Sequence, residues 1–484
     1  MALVMVFGLT AGLIASTGDI TVGFEQIEKI VPSSTATGGH FGRSVDVEDN
    51  IMIAGAPYQG LNGTDPAGPG FAQVSVFSDW DGSVAETIDL SASDGSAGDL
   101  FGMRVAIGRI SGSSEDGGVA YVSAPRRGSG EIPQYSGAVY LFSGGEDSSI
   151  TETSIITPSG EAVTRKFGSS MDFDGARLAV GAPFDSTAGV GNHGAAYIYT
   201  LGLDGVPTDE QRVECDTPTA SQYFGWAVSI DGDRMAVSAI ADSAVQTGAG
   251  AVYIFDRQPD NSWTQSALVT PADLSSGDWF GTSIVVHGDL LIVSAMNYDS
   301  GEGEDVIQNR GIVYVFKWNG SAYQEVQQID PPLIETGIAW GVSIDFDGSH
   351  LVIGGNGWQN NGEFGTGAAA AYEYGPDGEF INGRVFIGSD VGSSARFGSA
   401  VALHGDRAVI GAIEDTAANG GSVYVFEPRC GGDLDYDDSI GLADILDIVE
   451  SWGDTGITTQ DVEQDFEVGI HDLLVVLQYY GTCS

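Results

Sequence analysis

The sequence predicts an all-β protein built as a seven-bladed β-propeller, with four antiparallel strands in each blade. A period of 56 to 66 residues runs along the chain, and each period opens with a Phe-Gly or Trp-Gly pair. The seven copies begin at Phe41, Phe101, Phe167, Phe224, Phe280, Trp340 and Phe397. Within a copy the apolar residues alternate with a period of two, and no helix is expected before residue 428. A repeat of this length indicates one supersecondary unit that buries its apolar face against its neighbours.

The first two strands of a unit are clearest in the third copy, FGSSMDFDGARLAVGAPFDS. Apolar residues alternate there on both sides of the turn dipeptide Asp174-Gly175, which is a β-hairpin pattern. A third strand follows a variable loop, as in GAVYLF, GAVYIF, GIVYVF and GSVYVF. A fourth, weaker strand comes next, as in WTQSALVTP. Four antiparallel strands in each of seven units are typical of a propeller.

The seventh copy lacks a fourth strand of its own, because VYVFEPRC runs directly into a different kind of sequence. The segment VGFEQIEKIVPS, from Val22 to Ser33, resembles the other outer strands and precedes the first Phe-Gly pair. We therefore expect residues 23–31 to pair with Val423 to Glu427. Such a strand would remove an open sheet edge and join the two ends of the ring. The propeller is expected to occupy residues 20–428.

These repeats resemble the FG-GAP repeats of integrin α-subunit propellers and of many bacterial surface and secreted proteins. The resemblance covers residues 22–428 and rests on one motif that recurs seven times in phase. Calcium-binding members carry an acidic loop of the type Asp-x-Asn-x-Asp-Gly in the first hairpin. Here that hairpin is a two-residue turn in most copies, and VEDNI at Val47 lacks the spaced oxygen ligands that calcium requires. We expect no calcium in the propeller.

The composition is strongly acidic, with 67 Asp plus Glu against 18 Lys plus Arg and a formal charge of −49. That field repels nucleic acid and anionic membranes, so neither is expected as a partner. The N-terminal stretch MALVMVFGLTAGLIA is apolar and ends in small residues, which predicts a signal peptide over residues 1–17. The stretch is short for a membrane span, which needs about 20 apolar residues. We expect a secreted or cell-surface protein without a membrane span.

After Arg429 the sequence changes to two acidic loops, each followed by an amphipathic pattern with a period near 3.6. Oxygen-bearing side chains occupy positions 1, 3, 5, 7 and 12 of both loops. These are Asp433, Asp435, Asp437, Ser439 and Asp444 in the first loop, and Asp461, Glu463, Asp465, Glu467 and Asp472 in the second. Calcium prefers six to eight oxygen ligands, and this spacing wraps a loop around one ion before a helix begins. The sequence predicts two calcium ions bound within residues 430–484.

The two loop-helix units lie 28 residues apart and resemble a dockerin domain, the short C-terminal kind found on secreted bacterial proteins. The match covers residues 432–482. The resemblance implies calcium-dependent docking onto a cohesin-like domain or another extracellular protein. It places the contact at loop positions 10 and 11, which are Leu442 and Ala443 in the first unit and Ile470 and His471 in the second.

The chain has three cysteines. Cys430 and Cys483 bracket the C-terminal segment, and an exported chain would permit a disulfide between them. On the loop-entropy model, linking the ends of a domain this short stabilises it by about 4 kcal/mol. Cys215 lies in the outer strand RVECDTP, where we expect a buried strand residue rather than a nucleophile.

The loops between second and third strands are long, and they share a face of the propeller with the connections between blades. Four aromatic residues in these loops are candidates for a binding face: Tyr58, Tyr135, Tyr298 and Trp358. Aromatic rings beside amides and carboxylates suit carbohydrate or protein ligands, and loops on a rigid scaffold commonly carry function. The sequence contains no G-x-S-x-G, HExxH, CxxC or phosphate-loop motif, so enzyme activity is unsupported and stays open.

Three functions fit these features. The favoured one is a secreted or cell-surface, non-catalytic binding or scaffold protein, whose propeller binds a protein or polysaccharide while its C-terminal segment attaches through calcium. The first alternative is a component of extracellular polysaccharide degradation, either a hydrolase or a lyase. The second alternative is a cell-adhesion protein, which the integrin-like repeats suggest by analogy of fold.

Overall fold

The chain divides into two compact units, which are described separately. One unit is the propeller, over Phe24–Pro428, and the other includes Arg429–Ser484. The computed structural model describes residues 22–32, 38–58, 68–78, 83–111, 118–128, 135–144, 150–160, 165–186, 190–301, 306–332, 335–359, 364–405, 407–415, 420–430, 439–440, 442–453, 468, 473 and 481–482.

The first three blades are four-stranded antiparallel sheets whose strands follow chain order. Blade 1 contains β2 Ser44–Glu48, β3 Ile51–Ala56, β4 Phe71–Phe77 and β5 Val84–Leu90. Blade 2 contains β6 Val105–Gly108, β7 Val119–Ala124, β8 Ala138–Gly144 and β9 Ile150–Ile156. Blade 3 contains β10 Ser170–Phe173, β11 Arg177–Ala182, β12 Ala195–Leu201 and β13 Pro207–Val213.

The next three blades repeat the same order. Blade 4 contains β14 Phe224–Asp231, β15 Arg234–Ala239, β16 Ala251–Arg257 and β17 Trp263–Val269. Blade 5 contains β18 Phe280–His287, β19 Leu290–Ala295, β20 Ile312–Trp318 and β21 Tyr323–Ile329. Blade 6 contains β22 Trp340–Phe346, β23 His350–Gly355, β24 Ala368–Tyr374 and β25 Phe380–Phe386. The predicted fold class, an all-β seven-bladed propeller, is confirmed.

Blade 7 joins the two ends of the propeller. It contains β1 Val22–Ile30, β26 Phe397–His404, β27 Arg407–Ala412 and β28 Ser422–Cys430. The sheet order is β1-β28-β27-β26, so the N-terminal strand is the outer strand beside β28. The predicted closure is therefore confirmed. A parallel bridge between Phe41 and Gly421 also joins the start of blade 1 to blade 7.

Each Phe-Gly pair joins its blade to the preceding one. The seven aromatic side chains of the motif are completely buried, and each forms a parallel bridge to the glycine that precedes the third strand of the blade before it. In five blades the aromatic ring also packs against a tyrosine on the third strand of its own blade, with ring centroids 5.3 to 5.6 Å apart. The repeated motif is therefore the joint between blades.

The apolar core lies between neighbouring sheets. Between blades 4 and 5, for example, Val252 and Ile254 of one sheet pack with Phe280, Leu291 and Val293 of the next, all nearly or completely buried. Alternating residues of both sheets contribute to this layer because side chains on a strand point to opposite faces. The alternation of apolar residues in the sequence thus reflects their packing between neighbouring blades.

We call the side of the ring where second strands end and first strands begin, as at Ala56 and Val105, the loop face. Buried tyrosines of the third strands donate hydrogen bonds to aspartates near this face. The pairs are Tyr140 with Asp94, Tyr197 with Asp185, Tyr253 with Asp242, Tyr314 with Asp273 and Tyr424 with both Asp390 and Asp415. These bonds attach described connecting segments of the loop face to the strands.

The described part of the second unit contains one helix, α1 Leu442–Glu450, and a short pairing of β29 Ser439–Ile440 with β30 Gly481–Thr482. Helix α1 lies where the first amphipathic pattern predicted it. The second predicted loop-helix unit falls outside the described residues. Over the described ranges, the longest apolar helical segment is too short to traverse a bilayer.

Candidate functional site

A channel runs along the axis of the ring and encloses about 430 Å³. Its wall is made by the first strand of each of the seven blades. Those strands begin just after the Phe-Gly pairs, so equivalent positions of the repeat meet around one axis. Side chains that are far apart in the sequence therefore face one another across the channel.

Three aspartates at equivalent positions of the repeat, Asp46, Asp172 and Asp345, lie in the channel wall. One carboxylate oxygen of each accepts a backbone N–H from the next blade in space, in each case at 2.7 Å. The other oxygen accepts the N–H of the following residue, at 2.8 to 2.9 Å. Both oxygens are thus engaged by backbone donors, and the aspartates join adjacent blades.

Removal from bulk water raises the pKa of these carboxyl groups, most for Asp46 and Asp345. Desolvation is the largest cause, and it outweighs the backbone hydrogen bonds that favour the charged form. The remaining carboxylates of the set contribute a smaller upward shift across the channel. The pKa of Asp345 is raised to about 7.

A second cavity, of about 200 Å³, lies on the loop face and is lined by residues of blades 1 to 4. Four cations line it: Arg43, Arg104, Arg126 and Lys166. Three aromatic side chains, Tyr58, Phe184 and Trp226, form further parts of its wall. Among the residues that the structure describes, twelve line the cavity and none of them is a carboxylate. We call this cavity the basic hollow; it shares Arg43, Arg104 and Trp226 with the channel wall, so it lies at the mouth of the channel.

The repeat itself places these cations together. Arg43 comes two residues after Phe41, Arg104 three residues after Phe101, and Lys166 directly before Phe167. Every residue directly before a Phe-Gly or Trp-Gly pair has a positive φ, which is 49° at Lys166. The chain thus makes the same tight approach to each first strand, and side chains beside the motif reach the channel mouth. Arg126 and Phe184 follow the prolines that come directly after β7 and β11.

The cations of the basic hollow lack carboxylate partners among the described residues. The ion pairs of that part of the chain involve other basic residues, such as Arg109 with Asp49, Arg127 with Asp94 and Arg234 with Asp256. Two of the hollow's cations, Lys166 and Arg126, contact aromatic rings instead. The ammonium of Lys166 lies 3.6 Å from the ring centroid of Phe184, and the guanidinium of Arg126 lies 6.0 Å from that of Tyr135.

The electrostatics of the basic hollow are unfavourable without an anion. Burial lowers the pKa of Arg43, and burial together with the charge of Arg43 lowers the pKa of Arg104 to about 9. Burial and the nearby Arg126 lower the pKa of Lys166. All of these groups still carry charge near neutral pH, because arginine and lysine begin from high pKa values. Cations that are removed from water and repel one another are stabilised when an anionic group binds between them.

The four aromatic residues expected on a binding face have different positions. Tyr58 lines the basic hollow, and its ring lies 5.0 Å from that of His40. Tyr135 is exposed beside Arg126. Tyr298 is half-buried against Tyr314 and lines neither described cavity. Trp358 is only 1% exposed, so its side chain is buried in the structure.

Most residues expected in the calcium loops lie outside the described residues. They are Asp433, Asp435, Asp437, Asp461, Glu463, Asp465, Glu467 and Asp472. Ser439 begins β29, and Asp444 lies in α1, where its side chain is not among those described. Within the described ranges, no group of three or more His, Cys, Asp or Glu side chains could hold a metal ion.

Leu442 and Ala443, two of the expected docking residues, are exposed at the start of α1. Ile470 and His471 lie outside the described residues. Cys430 ends β28, and Cys483 also lies outside, so the expected disulfide stays a prediction. Cys215 is buried and free, as expected, and burial raises the pKa of its thiol.

The sequence reasoning missed the cations of the basic hollow. They are dispersed along the chain, each in a different copy of the repeat, and the net charge of −49 drew attention to the acids. Their positions relative to the Phe-Gly pairs were the signal that could have identified them. Aligning the seven copies places Arg43, Arg104 and Lys166 within a few residues of the same point.

Comparison with protein families agrees with the repeat seen in the structure. A family model described as FG-GAP repeat matches residues 24–69, 150–199, 208–255, 263–316 and 384–426. The matched segments extend from the first blade to the seventh. No curated protein matches the chain.

Proposed function

We propose that this chain, which carries FG-GAP repeats from its first blade to its seventh, is a non-catalytic binding or scaffold protein of the cell surface or extracellular space. Its propeller receives a protein or polysaccharide ligand on the loop face. The observation that carries this proposal is the basic hollow, a cavity at the mouth of the channel whose described wall contains four cations and three aromatic side chains. Concave sites with a few convergent polar groups on a rigid scaffold are where proteins commonly bind ligands.

The channel carboxylates do not favour the hydrolase or lyase alternative. A general acid or base needs an oxygen available to the substrate. Both oxygens of Asp46, Asp172 and Asp345 instead accept backbone N–H groups that hold neighbouring blades together. We therefore assign these groups to the stability of the ring.

The ligand proposal is tested by two matched substitutions. Tyr58 and Tyr298 are both half-buried tyrosines in loops that follow second strands, but only Tyr58 lines the basic hollow. With the full chain immobilised, we expect Tyr58→Ala to reduce retention of an extracellular ligand, found on a glycan array or in secreted protein, by about tenfold. Tyr298→Ala should retain it like the original chain. Equal retention by all three proteins would place the ligand elsewhere.

We also propose that the C-terminal segment binds two calcium ions and attaches the protein to a cohesin-like domain or another extracellular partner. The support is the ligand spacing of the two acidic loops and the apolar side chains exposed on and just after α1. Leu442, Leu446, Val449 and Trp452 are each at least half exposed in the described structure. A row of apolar side chains on one helix is a common feature of docking surfaces.

Calorimetric titration of the full chain tests the calcium proposal. At about 0.1 M salt with magnesium present, we expect two calcium ions to bind, since screening and competition suppress binding to the acidic surface. Asp433→Ala and Asp461→Ala should each remove one ion. Asp260→Ala, which changes the same charge in a fully exposed propeller loop, is the control. Unchanged stoichiometry in both loop variants would contradict the proposal.

A further inference from the structure

We infer that the basic hollow binds the acidic group of a carboxylated or sulfated polysaccharide. This inference rests on the proposed function, in which the loop face of the propeller receives the ligand. It adds the chemical class of that ligand. The argument depends on the charge of the hollow, on its walls and on its surroundings.

The positive charge of the basic hollow favours a ligand with an anionic group. The chain has only 18 Lys plus Arg against 67 Asp plus Glu, yet four of these cations line one cavity of about 200 Å³ whose described lining residues include no carboxylate. In a chain so rich in acids, a cluster of cations would ordinarily acquire acidic neighbours. Arginine forms paired hydrogen bonds with planar carboxylates and with sulfate oxygens, and these are among the strongest polar contacts in proteins.

The walls of the basic hollow favour a sugar as the carrier of that anion. Tyr58, Phe184 and Trp226 present aromatic surface beside the cations, and Phe184 also packs against Tyr223 at 5.3 Å between ring centroids. A sugar ring has apolar C–H faces that pack on aromatic rings and polar edges that reach charged groups. An acidic peptide side chain would use the cations but would leave the aromatic surface unused. The volume also suits one sugar residue better than a folded segment.

The surroundings favour a polymer over a single sugar. Arg126 is exposed at the hollow, and the exposed Tyr135 lies beside it, so charged and aromatic surface continues outward on the loop face. The cations also come from three successive blades. A polysaccharide with an acidic group on many residues could place one group in the hollow and another near Arg126.

The net charge of −49 does not prevent this binding. In about 0.1 M salt the field of exposed charges fades over about 10 Å, whereas contacts within the hollow act at hydrogen-bond distance. An extended nucleic acid would need a long basic surface and would meet the surrounding acids. A flexible polysaccharide with spaced acidic groups can instead approach at one point.

The test measures binding of the full chain, in about 0.1 M salt, to four polymers: polygalacturonate, dextran sulfate, neutral dextran and poly-L-glutamate. We expect binding to polygalacturonate or dextran sulfate, and the better of these two identifies the acidic group. The double variant Arg104→Gln, Lys166→Gln should weaken that binding at least roughly tenfold. Arg109→Gln is the control, because Arg109 is exposed and lies outside the hollow.

Folding of each variant is checked by its melting temperature and near-ultraviolet circular dichroism. If the double variant does not fold, Arg126→Gln replaces it, because Arg126 is exposed. Equal binding of neutral dextran, binding of poly-L-glutamate alone, binding of none of the polymers, or an equal loss in Arg109→Gln would each overturn the inference. A neutral or protein ligand whose retention depends on Tyr58 would overturn it while leaving the proposed function intact.

Discussion

Single side chains at equivalent positions of the repeat hold the ring together in different ways. Asp46, Asp172 and Asp345 join their blade to the next through a carboxylate, whereas Ser229 does so with a hydroxyl that accepts the N–H of Val286 at 3.0 Å. A serine has no charge to desolvate. The aspartate version of the same joint therefore carries an electrostatic cost that depends on pH.

Asp345→Asn should change the pH dependence of stability. The folded state raises the pKa of Asp345 from 3.8 to about 7, so the folded chain holds this proton more tightly than the unfolded chain. The contribution of Asp345 is fully present below pH 4 and is lost as the pH rises toward 7. Melting temperatures measured between pH 4.5 and pH 7.5 should therefore fall more steeply for the original chain, by a few °C relative to the variant. A difference between the two proteins that stays constant with pH would contradict this.

The contact between blades depends on the glycine that precedes the third strand of the preceding blade, to which the aromatic residue of the Phe-Gly pair forms a bridge. Gly250, which precedes β16, has a φ of +95°, and a Cβ there would lie 2.2 Å from the carbonyl oxygen of Phe280. Gly288, in the hairpin between β18 and β19, has a φ of +55° and open space where its Cβ would be. Substitution at Gly250 therefore tests both the close approach of two blades and the backbone conformation, whereas substitution at Gly288 tests the backbone conformation alone.

Gly250→Ala should destabilise the propeller far more than Gly288→Ala. The first change forces backbone atoms of two blades apart, which we expect to cost at least about 3 kcal/mol. The second change costs only the left-handed conformation, about 1 kcal/mol. Denaturant unfolding of both variants measures the difference. Equal losses would show that the bridge between Gly250 and Phe280 does not hold the blades together.

In the whole molecule, the features that follow from backbone pairing could be predicted from the sequence. The alternation around Asp174-Gly175 and the strand from Val22 predicted the blades and the closure of the ring for this reason. The burial of Trp358 was not predicted, because the packing of a loop side chain depends on contacts that no local pattern encodes. The basic hollow was missed because Arg43, Arg104 and Lys166 meet only when three blades are assembled around one axis.

The net charge sets the electrostatic field far from the protein, whereas the basic hollow sets the local charge that a ligand meets at the channel mouth. Far from the surface the protein is an anion of formal charge −49, whose field repels other polyanions. At the channel mouth a ligand meets four cations and three aromatic rings. Composition describes the average charge of the surface, but it says nothing of a site built from a few residues.

A crystal structure of the full chain, grown with an oligomer of whichever acidic polysaccharide binds in solution, would locate the ligand. We predict that a sugar ring lies against Tyr58 and Phe184, with its carboxylate or sulfate within hydrogen-bond distance of Arg104 or Lys166. An oligomer bound at saturation on another part of the propeller, with the basic hollow empty, would contradict our account.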